Sequence, residues 1–345
     1  MSWQNIFGHD RILACFQRCI ARGRLPSSFL FVGPAGIGKR TFAMQLAEAL
    51  LCPNTDLSTL EACGCCDSCR QVQARSHLDF ELIELERDKS HIRVEALIGG
   101  LEHRMREGLL YRLAMKSFHG GRKVVIIEDA DHLNRAGTSA LLKTLEELSA
   151  DTIIILIGTS RHRQLPTIQS RCQVIRFQPL DAEIVAKLLL DQDLVPDTDQ
   201  ARRVAEMAGG SIGRAADLVD PELWAFRGEL HSVLQRRIPD PTAFTKELIE
   251  FVDAVGHGNM LRRCRLHQVL LFATEFYRQQ LRESIGDSNT ETLNELIDCG
   301  LEAMSLTDQN ANLATLQHWW VDELAHLNAR LASNNDNSAL QRVNS

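Results

Sequence analysis

The sequence lacks the features that mark membrane proteins, exported proteins and proteins that coat nucleic acid. Its longest apolar runs are far too short to span a bilayer. The first ten residues show no basic segment followed by an apolar core, so we expect no secretory signal and a cytoplasmic protein. The formal net charge of −7 argues against a chain that coats nucleic acid by itself, although a local basic patch is compatible with it.

The chain also lacks internal repeats and long low-complexity linkers. Its 345 residues are enough for two or three domains, and 24% charged and 44% apolar residues are typical of globular proteins. Up to about Pro179, strand patterns alternate with helical ones, which predicts a parallel sheet with helices on both faces. After that point the patterns are helical throughout.

We therefore predict an α/β fold class with a P-loop domain and two helical domains. The P-loop domain covers residues 1–178 and contains a cysteine-rich insert at 52–70. A small helical lid follows at 179–220, and an all-helical domain at 221–332. The polar composition of residues 333–345 predicts a disordered tail.

A glycine-rich stretch stands between a predicted strand and a predicted helix. The stretch GPAGIGK (33–39) matches the phosphate-loop pattern G-x-x-x-x-G-K. Its glycines allow backbone N–H groups to face a phosphate, and its lysine would reach the β- and γ-phosphates. The candidate nucleotide-binding residues are Gly33, Gly36, Gly38 and Lys39. The alternative is a glycine turn that only joins a strand to a helix.

The position after this lysine lacks the serine or threonine that would hold a magnesium ion. Arg40 stands there instead and cannot coordinate a cation. Thr41 comes one residue late, about 100° around the helix, which makes it a poor substitute. The sequence therefore leaves ATP or ADP binding open and disfavours Mg²⁺ binding at this loop.

Two acidic residues end the buried strand VVII. Glu128 and Asp129 stand where a magnesium-binding acid and a water-activating acid would lie beside the phosphate loop. The usual order in this class of ATPase is Asp then Glu, so the reversal shifts each carboxylate by one methylene. A misplacement of about 1 Å can lower a rate on the order of 10²-fold. We interpret the pair as a degenerate acid site; the alternative is two solvated acids at a strand end.

Four of the ten cysteines fall within residues 63–69. Three of them, Cys63, Cys66 and Cys69, have the spacing that wraps one face of a tetrahedral Zn²⁺, and Cys52 can complete the site. Cys65 would be an extra thiol outside it. Free thiols in a mobile loop and an iron–sulfur cluster are the alternatives. We predict a closed, structural zinc site, since four protein ligands leave no open position.

Three further residues are unremarkable by themselves. Thr159 ends a predicted strand, Arg171 lies in a Ser-Arg-Cys sequence before the last strand, and Arg214 begins a short helix. An exposed arginine is usually a solvated surface charge.

Taken in order, these motifs resemble the clamp-loader ATPases of bacterial DNA polymerase III, the γ/τ and δ′ subunits of the AAA+ superfamily. The resemblance covers about residues 3–217 and rests on the phosphate loop, the cysteine insert, IIEDADHLNRAGTSALLKTLEEL, the strand ending in threonine and the SRC sequence. It implies an AAA+ domain, a lid and a helical collar that joins five subunits into an open ring. It also implies γ/τ and δ partners, contact with the β sliding clamp and primed DNA through the complex, and no membrane.

The resemblance gives roles to single residues as well. Arg171 would be an arginine finger that reaches the ATP site of a neighbouring γ/τ subunit in trans. Thr159 would be the sensor 1 residue and Arg214 the sensor 2 residue. The zinc ligands of the family correspond to the four cysteines of the predicted site.

Two departures from the γ/τ pattern favour the δ′ branch. The γ/τ subunits carry Lys-Ser/Thr and Asp-Glu, where this chain has Arg40 and the pair Glu128-Asp129, while the SRC sequence is intact. We therefore expect a stator whose own ATPase is weak or absent and which supplies an arginine to a neighbour. The alternatives are a γ/τ-like motor that hydrolyses ATP with an unconventional metal site, and an unrelated AAA+ remodelling module.

Overall fold

A computed structural model describes most of the chain. It covers residues 3, 6–56, 58–86, 89, 91–100, 108–118, 121–149, 151–256, 258–283, 289–309 and 311–343, with the backbone alone at 308 and 333–343. The chain divides into two compact units, Met1–Ala216 and Asp217–Ser345. Among the described residues, no helix is both long enough and apolar enough to cross a membrane.

A five-stranded parallel sheet forms the centre of the first unit. The strands are β1 (Ser28–Val32), β2 (Phe80–Ile83), β3 (Lys123–Ile127), β4 (Thr152–Gly158) and β5 (Gln173–Arg176). Their order across the sheet is β2-β3-β4-β1-β5, and every pairing is parallel. The three inner strands read as apolar runs because both of their faces are covered, as a parallel sheet requires. The predicted α/β fold class is confirmed.

Helices cover both faces of this sheet and continue into the predicted lid. In chain order they are α1 (Asp10–Ala21), α2 (Lys39–Leu51), α3 (Asp67–Gln73), α4 (Val94–Ile98), α5 (Leu109–Ala114), α6 (Arg135–Glu146), α7 (Pro166–Gln169), α8 (Ala182–Asp191), α9 (Thr198–Ala208) and α10 (Ile212–Asp217). The helix α4 ends at Ile98, because Gly99 adopts φ +83°.

The alternation of side chains along β1 divides the core of the first unit into two layers. Phe29 and Phe31 join one cluster, where they pack against Phe16 of α1, with ring centroids 4.9 and 6.1 Å away. Leu30 belongs to the other cluster, with Leu141 of α6. The sheet is thus buried on both sides, which fixes the strand ends that carry the site.

The second unit is helical in the part that the structure describes. Its helices are α11 (Pro221–Gln235), α12 (Pro241–Asp253), α13 (Asn259–Glu283), α14 (Thr290–Asp308) and α15 (Leu313–Val343). An aspartate caps α11 and another caps α12, each followed by proline at the first helical position, a favourable helix start. Inside the unit, Asn328 donates to the buried Tyr277 hydroxyl at 2.8 Å.

The end of the chain differs from its predicted form. We expected a disordered tail over 333–345, but the backbone continues α15 to Val343. No glycine or proline interrupts residues 313–343, so no residue with a strong helix-breaking preference ends the helix earlier.

Candidate functional site

The glycine turn between β1 and α2 has the backbone of a phosphate loop. Gly33, Gly36 and Gly38 have φ values of +155°, +72° and +95°, which disfavour any side chain. A Cβ atom on Gly33 would lie 2.5 Å from the carbonyl oxygen of Phe177. The loop therefore needs its glycines for both conformation and space.

The lysine of the loop is engaged with the loop itself. The Nζ of Lys39 donates to the carbonyl oxygens of Gly33 and Pro34, both at 2.6 Å. The lysine is buried, and burial lowers its pKa, partly offset by Asp131, Asp129 and Glu128. Its ammonium would have to leave these two carbonyls before it could bind a phosphate.

The arginine after the lysine bridges two carboxylates at the carboxyl ends of neighbouring strands. Arg40 places Nη1 2.5 Å from the Oε2 of Glu128, after β3, and Nη2 2.8 Å from the Oε2 of Glu84, after β2. Arg75 pairs with the other oxygen of Glu84 at 2.9 Å. Burial raises the pKa of Glu128, and Arg40 opposes that rise. The guanidinium thus supplies the positive charge that a divalent cation would bring to Glu128.

The sequence had singled out Arg40, Glu128 and Thr41 here, but not Glu84. Thr41 is exposed on α2 and is no substitute for the missing hydroxyl. Glu84 could have been found, because it directly follows the strand FELI, and carboxyl ends of parallel strands share one edge of a sheet.

The second acid of the pair has a raised pKa, and the threonine that follows β4 is bound by a third acid. Asp129 adopts φ +52°, and burial raises its pKa. Asp131 accepts from the N–H and the hydroxyl of Thr159, both at 2.6 Å, and from Gln164 Nε2 at 2.5 Å. The hydroxyl of Thr159 therefore already donates a hydrogen bond to Asp131. The sequence carries no specific signal for Asp131 beyond its position near the acid pair.

The start of α10 lies directly against the phosphate loop. The N–H of Gly213 donates to the carbonyl oxygen of Gly36 at 3.1 Å. A Cβ on Gly36 would lie 2.4 Å from Ser211 Oγ and 3.0 Å from the Cα of Gly213. Arg214, the next residue, is exposed. The predicted sensor 2 position thus lies beside the loop, and the predicted lid contacts the loop backbone to backbone.

Arg171 lies at the opposite edge of the sheet. It precedes β5, which is parallel to β1 and pairs Gln173 with Phe29, whereas the phosphate loop follows the far end of β1. Gln173 is level with a residue four positions before Gly33, about 13 Å away at the rise of a strand, and Arg171 lies two positions further back. Its side chain forms an ion pair with Glu146, the last residue of α6. Arg171 therefore cannot act on the loop of its own chain.

The four predicted zinc ligands come together in a separate cluster. The sulfurs of Cys52, Cys63, Cys66 and Cys69 all lie within 4.8 Å of one another. The S···S distances are 3.6 Å (52–63), 3.9 Å (52–66), 3.9 Å (63–69) and 3.4 Å (66–69). A tetrahedral ion with bonds of about 2.3 Å to sulfur gives S···S edges of about 3.8 Å, so the cluster fits an ion of the size of zinc.

Local structure explains how the cluster forms. Cys66 is the N-cap of α3 and accepts the N–H of Cys69 at 3.4 Å, which sets two ligands on one helix turn. Backbone N–H groups of Cys65 and Cys66 lower the pKa of Cys63 to about 5, which favours the thiolate that a metal requires. Burial raises the pKa of Cys69. Cys65 is exposed and outside the cluster, as expected.

The sequence of the chain matches one protein family and several named relatives. The family described as "DNA polymerase III, delta subunit" matches residues 8–181, half of the chain. A Pseudomonas aeruginosa protein named DNA polymerase III subunit delta' is 40% identical over 191 residues, 55% of either chain. An Escherichia coli protein of the same name is 29% identical, over 67% of this chain and 64% of that one. The E. coli tau subunit is 28% identical, over 66% of this chain and 34% of that one.

These matches cover part of each relative. The chain spans 55% of the length of the P. aeruginosa delta' protein and 61% of the length of a delta' protein from Bacillus subtilis.

A solved structure of a gamma subunit-related protein from Thermotoga maritima superposes with a TM-score of 0.42 at 14% identity, over 92% of this chain and 99% of that one. By the match over residues 8–181 and the names of these relatives, the chain belongs to the DNA polymerase III delta-prime family of clamp-loader subunits.

Proposed function

We propose that this chain is a stator of the DNA polymerase III clamp loader that does not hydrolyse ATP itself. The observation that carries the proposal is Arg40, whose guanidinium bridges Glu128 and Glu84 at 2.5 and 2.8 Å. A magnesium ion at Glu128 would stand against this fixed positive charge, and the hydroxyl that normally helps to hold the ion is absent. Hydrolysis by this chain would therefore lack its metal.

The state of the phosphate loop supports the same proposal. Lys39 is bonded to the loop carbonyls, and Gly213 is bonded to Gly36. Passive binding of ATP or ADP would use Gly33, Gly36, Gly38 and Lys39, with the lid opening at Gly213. Such binding would not need Glu128 and Asp129, the acids that follow β3. Sensor roles for Thr159 and Arg214 belong to the same proposal.

We assign to Arg171 the role of an arginine finger that serves the ATP site of a neighbouring γ/τ subunit. Its support is geometric: the side chain is exposed at the edge of the sheet away from its own phosphate loop. A guanidinium supplied in trans stabilises the charge that develops on the transferring phosphoryl group. The partners in this proposal are γ/τ and δ in the cytoplasm, with the β sliding clamp and primed DNA bound through the assembled ring.

For the cysteine cluster we propose a structural zinc ion. Its four sulfur ligands leave no position for substrate or water, so the ion would fold the insert without taking part in a reaction. Support comes from the S···S distances of 3.4 to 3.9 Å.

Substitution of Arg171 tests the proposal at its functional residue. Arg171→Ala should leave assembly with γ/τ and δ intact and lower the ATPase of the reconstituted complex, because the site served loses about 10³-fold or more in rate. Arg163→Ala is the matched control, an exposed arginine earlier in the same loop. Complex assembly is followed by gel filtration and turnover by phosphate release. An unchanged rate with Arg171→Ala would remove the finger assignment.

A further inference from the structure

The guanidinium of Arg171 is almost fully engaged within its own chain. Its Nε donates to Glu146 Oε1 at 2.7 Å, and its Nη2 donates to the same oxygen. Its Nη1 donates to the carbonyl oxygen of Thr167 at 3.1 Å and to Ser170 Oγ at 3.3 Å. Four of the five N–H donors of an arginine are thus used. Arg171 therefore cannot offer a phosphate its usual pair of donors until it leaves Glu146.

Helix stability does not account for the position of Glu146. It is the last residue of α6, next to carbonyl groups that carry the negative end of the helix dipole. A carboxylate there is repelled by the dipole, and Arg171 is the cation that neutralises it. The arginine comes from outside the helix, so the two charges are held together by the packing of α7 and its following turn beside α6.

The pair is open to exchange with another anion. The side chains of Arg171 and Glu146 are 34% and 51% exposed, so the guanidinium can leave without opening the core. An exposed ion pair of this kind is weak. A polyanionic phosphate can therefore replace the single carboxylate as the partner of the guanidinium.

We propose that Glu146 is the positioning residue of the finger, holding Arg171 in a parked state and competing for it with the triphosphate of a neighbouring subunit. The inference rests on the proposed trans role of Arg171. Assembly beside a loaded nucleotide site exchanges the carboxylate for phosphate oxygens. In the isolated chain Arg171 thus stays bound to Glu146. It acts on a nucleotide only where the triphosphate of a neighbouring subunit displaces that carboxylate.

The charge-neutral variant Glu146→Gln tests this competition. In the complex reconstituted with γ/τ and δ, it should raise the kcat/KM for ATP about two- to five-fold, the range that corresponds to an exposed ion pair of up to 1 kcal/mol. Glu147→Gln is the matched control, because it removes the same charge from the adjacent exposed residue. A thermal melt of each variant checks that the fold is unchanged.

Two further variants separate this inference from the proposed function. In Arg171→Ala and in the double variant Arg171→Ala/Glu146→Gln, the rates should be equally low, because Glu146 acts only through Arg171. If Arg171→Ala keeps the full rate, the trans role itself fails. If Arg171→Ala lowers the rate but Glu146→Gln matches Glu147→Gln, or lowers kcat/KM, the parking role alone is overturned.

Discussion

Replacement of Arg40 by methionine removes the cation between Glu128 and Glu84 while it keeps an unbranched side chain about as long as the aliphatic stem of arginine. Arg40 donates a hydrogen bond to the charged Glu84 at 2.8 Å, a kind of bond that contributes about 1.5–3 kcal/mol, and it forms an ion pair with Glu128 at 2.5 Å. Partial exposure of the ion pair, 38% for Arg40 and 18% for Glu128, reduces the total by screening. We expect Arg40→Met to lower the free energy of unfolding by about 1–2 kcal/mol. For a unit of this size that corresponds to about 2–8 °C in Tm, measured by calorimetry.

The pH dependence of this loss identifies its cause. Burial raises the pKa of Glu128, and the positive charge of Arg40 opposes that rise. In Arg40→Met the pKa of Glu128 should therefore rise further. An acid whose folded pKa exceeds its unfolded pKa destabilises the fold above that folded pKa and ceases to do so once it is protonated. The effect of Arg40→Met should therefore be full above the raised pKa of Glu128 and shrink as the pH falls through that pKa.

Arg93→Met is the control for this experiment. Arg93 pairs with Glu86 at 2.9 Å, but their side chains are 53% and 54% exposed, so its loss should change stability by at most about 0.5 kcal/mol. Equal effects of Arg40→Met and Arg93→Met, or a loss at Arg40 that does not vary with pH, would refute the view that the guanidinium neutralises a half-buried acid site.

Two other predictions concern the lid contact and the cysteine cluster. Gly36→Ala should destabilise the first unit by about 1–3 kcal/mol and speed proteolysis near Ser211, because the new Cβ would lie 2.4 Å from Ser211 Oγ at a φ of +72°. An unchanged melting temperature and an unchanged digestion pattern would contradict this contact. Elemental analysis should find about one zinc per chain. The zinc should be lost in Cys69→Ser and retained in Cys65→Ser, because the four clustered thiolates hold the ion and Cys65 is not one of them. Zinc retained by Cys69→Ser would contradict this ligand set.

The sequence predicted the elements of the fold well where apolar periodicity was strong. The buried runs of β1, β3 and β4, the phosphate-loop glycines and the cysteine spacing each carry a local signal, and the structure places them as predicted. The partners of Arg40 and Arg171 could not be predicted in the same way. Glu84 and Glu146 lie 44 and 25 positions away along the chain, and only the order of strands and helices brings them into contact.

The ends of elements were harder to predict than their presence. Residues 333–343 have a disorder-like composition but extend the long helix α15, and they contain no glycine or proline that would end it. The contact between Gly36 and Gly213 could not be predicted from the sequence either. Glycines that allow two backbones to approach closely look like ordinary turn residues in a sequence.

Nucleotide hydrolysis by the isolated chain tests the central claim most directly. With Arg40 bound to Glu128, we predict no ATP turnover above background with or without Mg²⁺, and any nucleotide binding should be independent of magnesium. The measurement is phosphate release together with nucleotide titration in the presence and absence of Mg²⁺, with Lys39→Ala as the loop-defective control. Magnesium-dependent turnover that Lys39→Ala abolishes would contradict the stator account and favour a γ/τ-like motor.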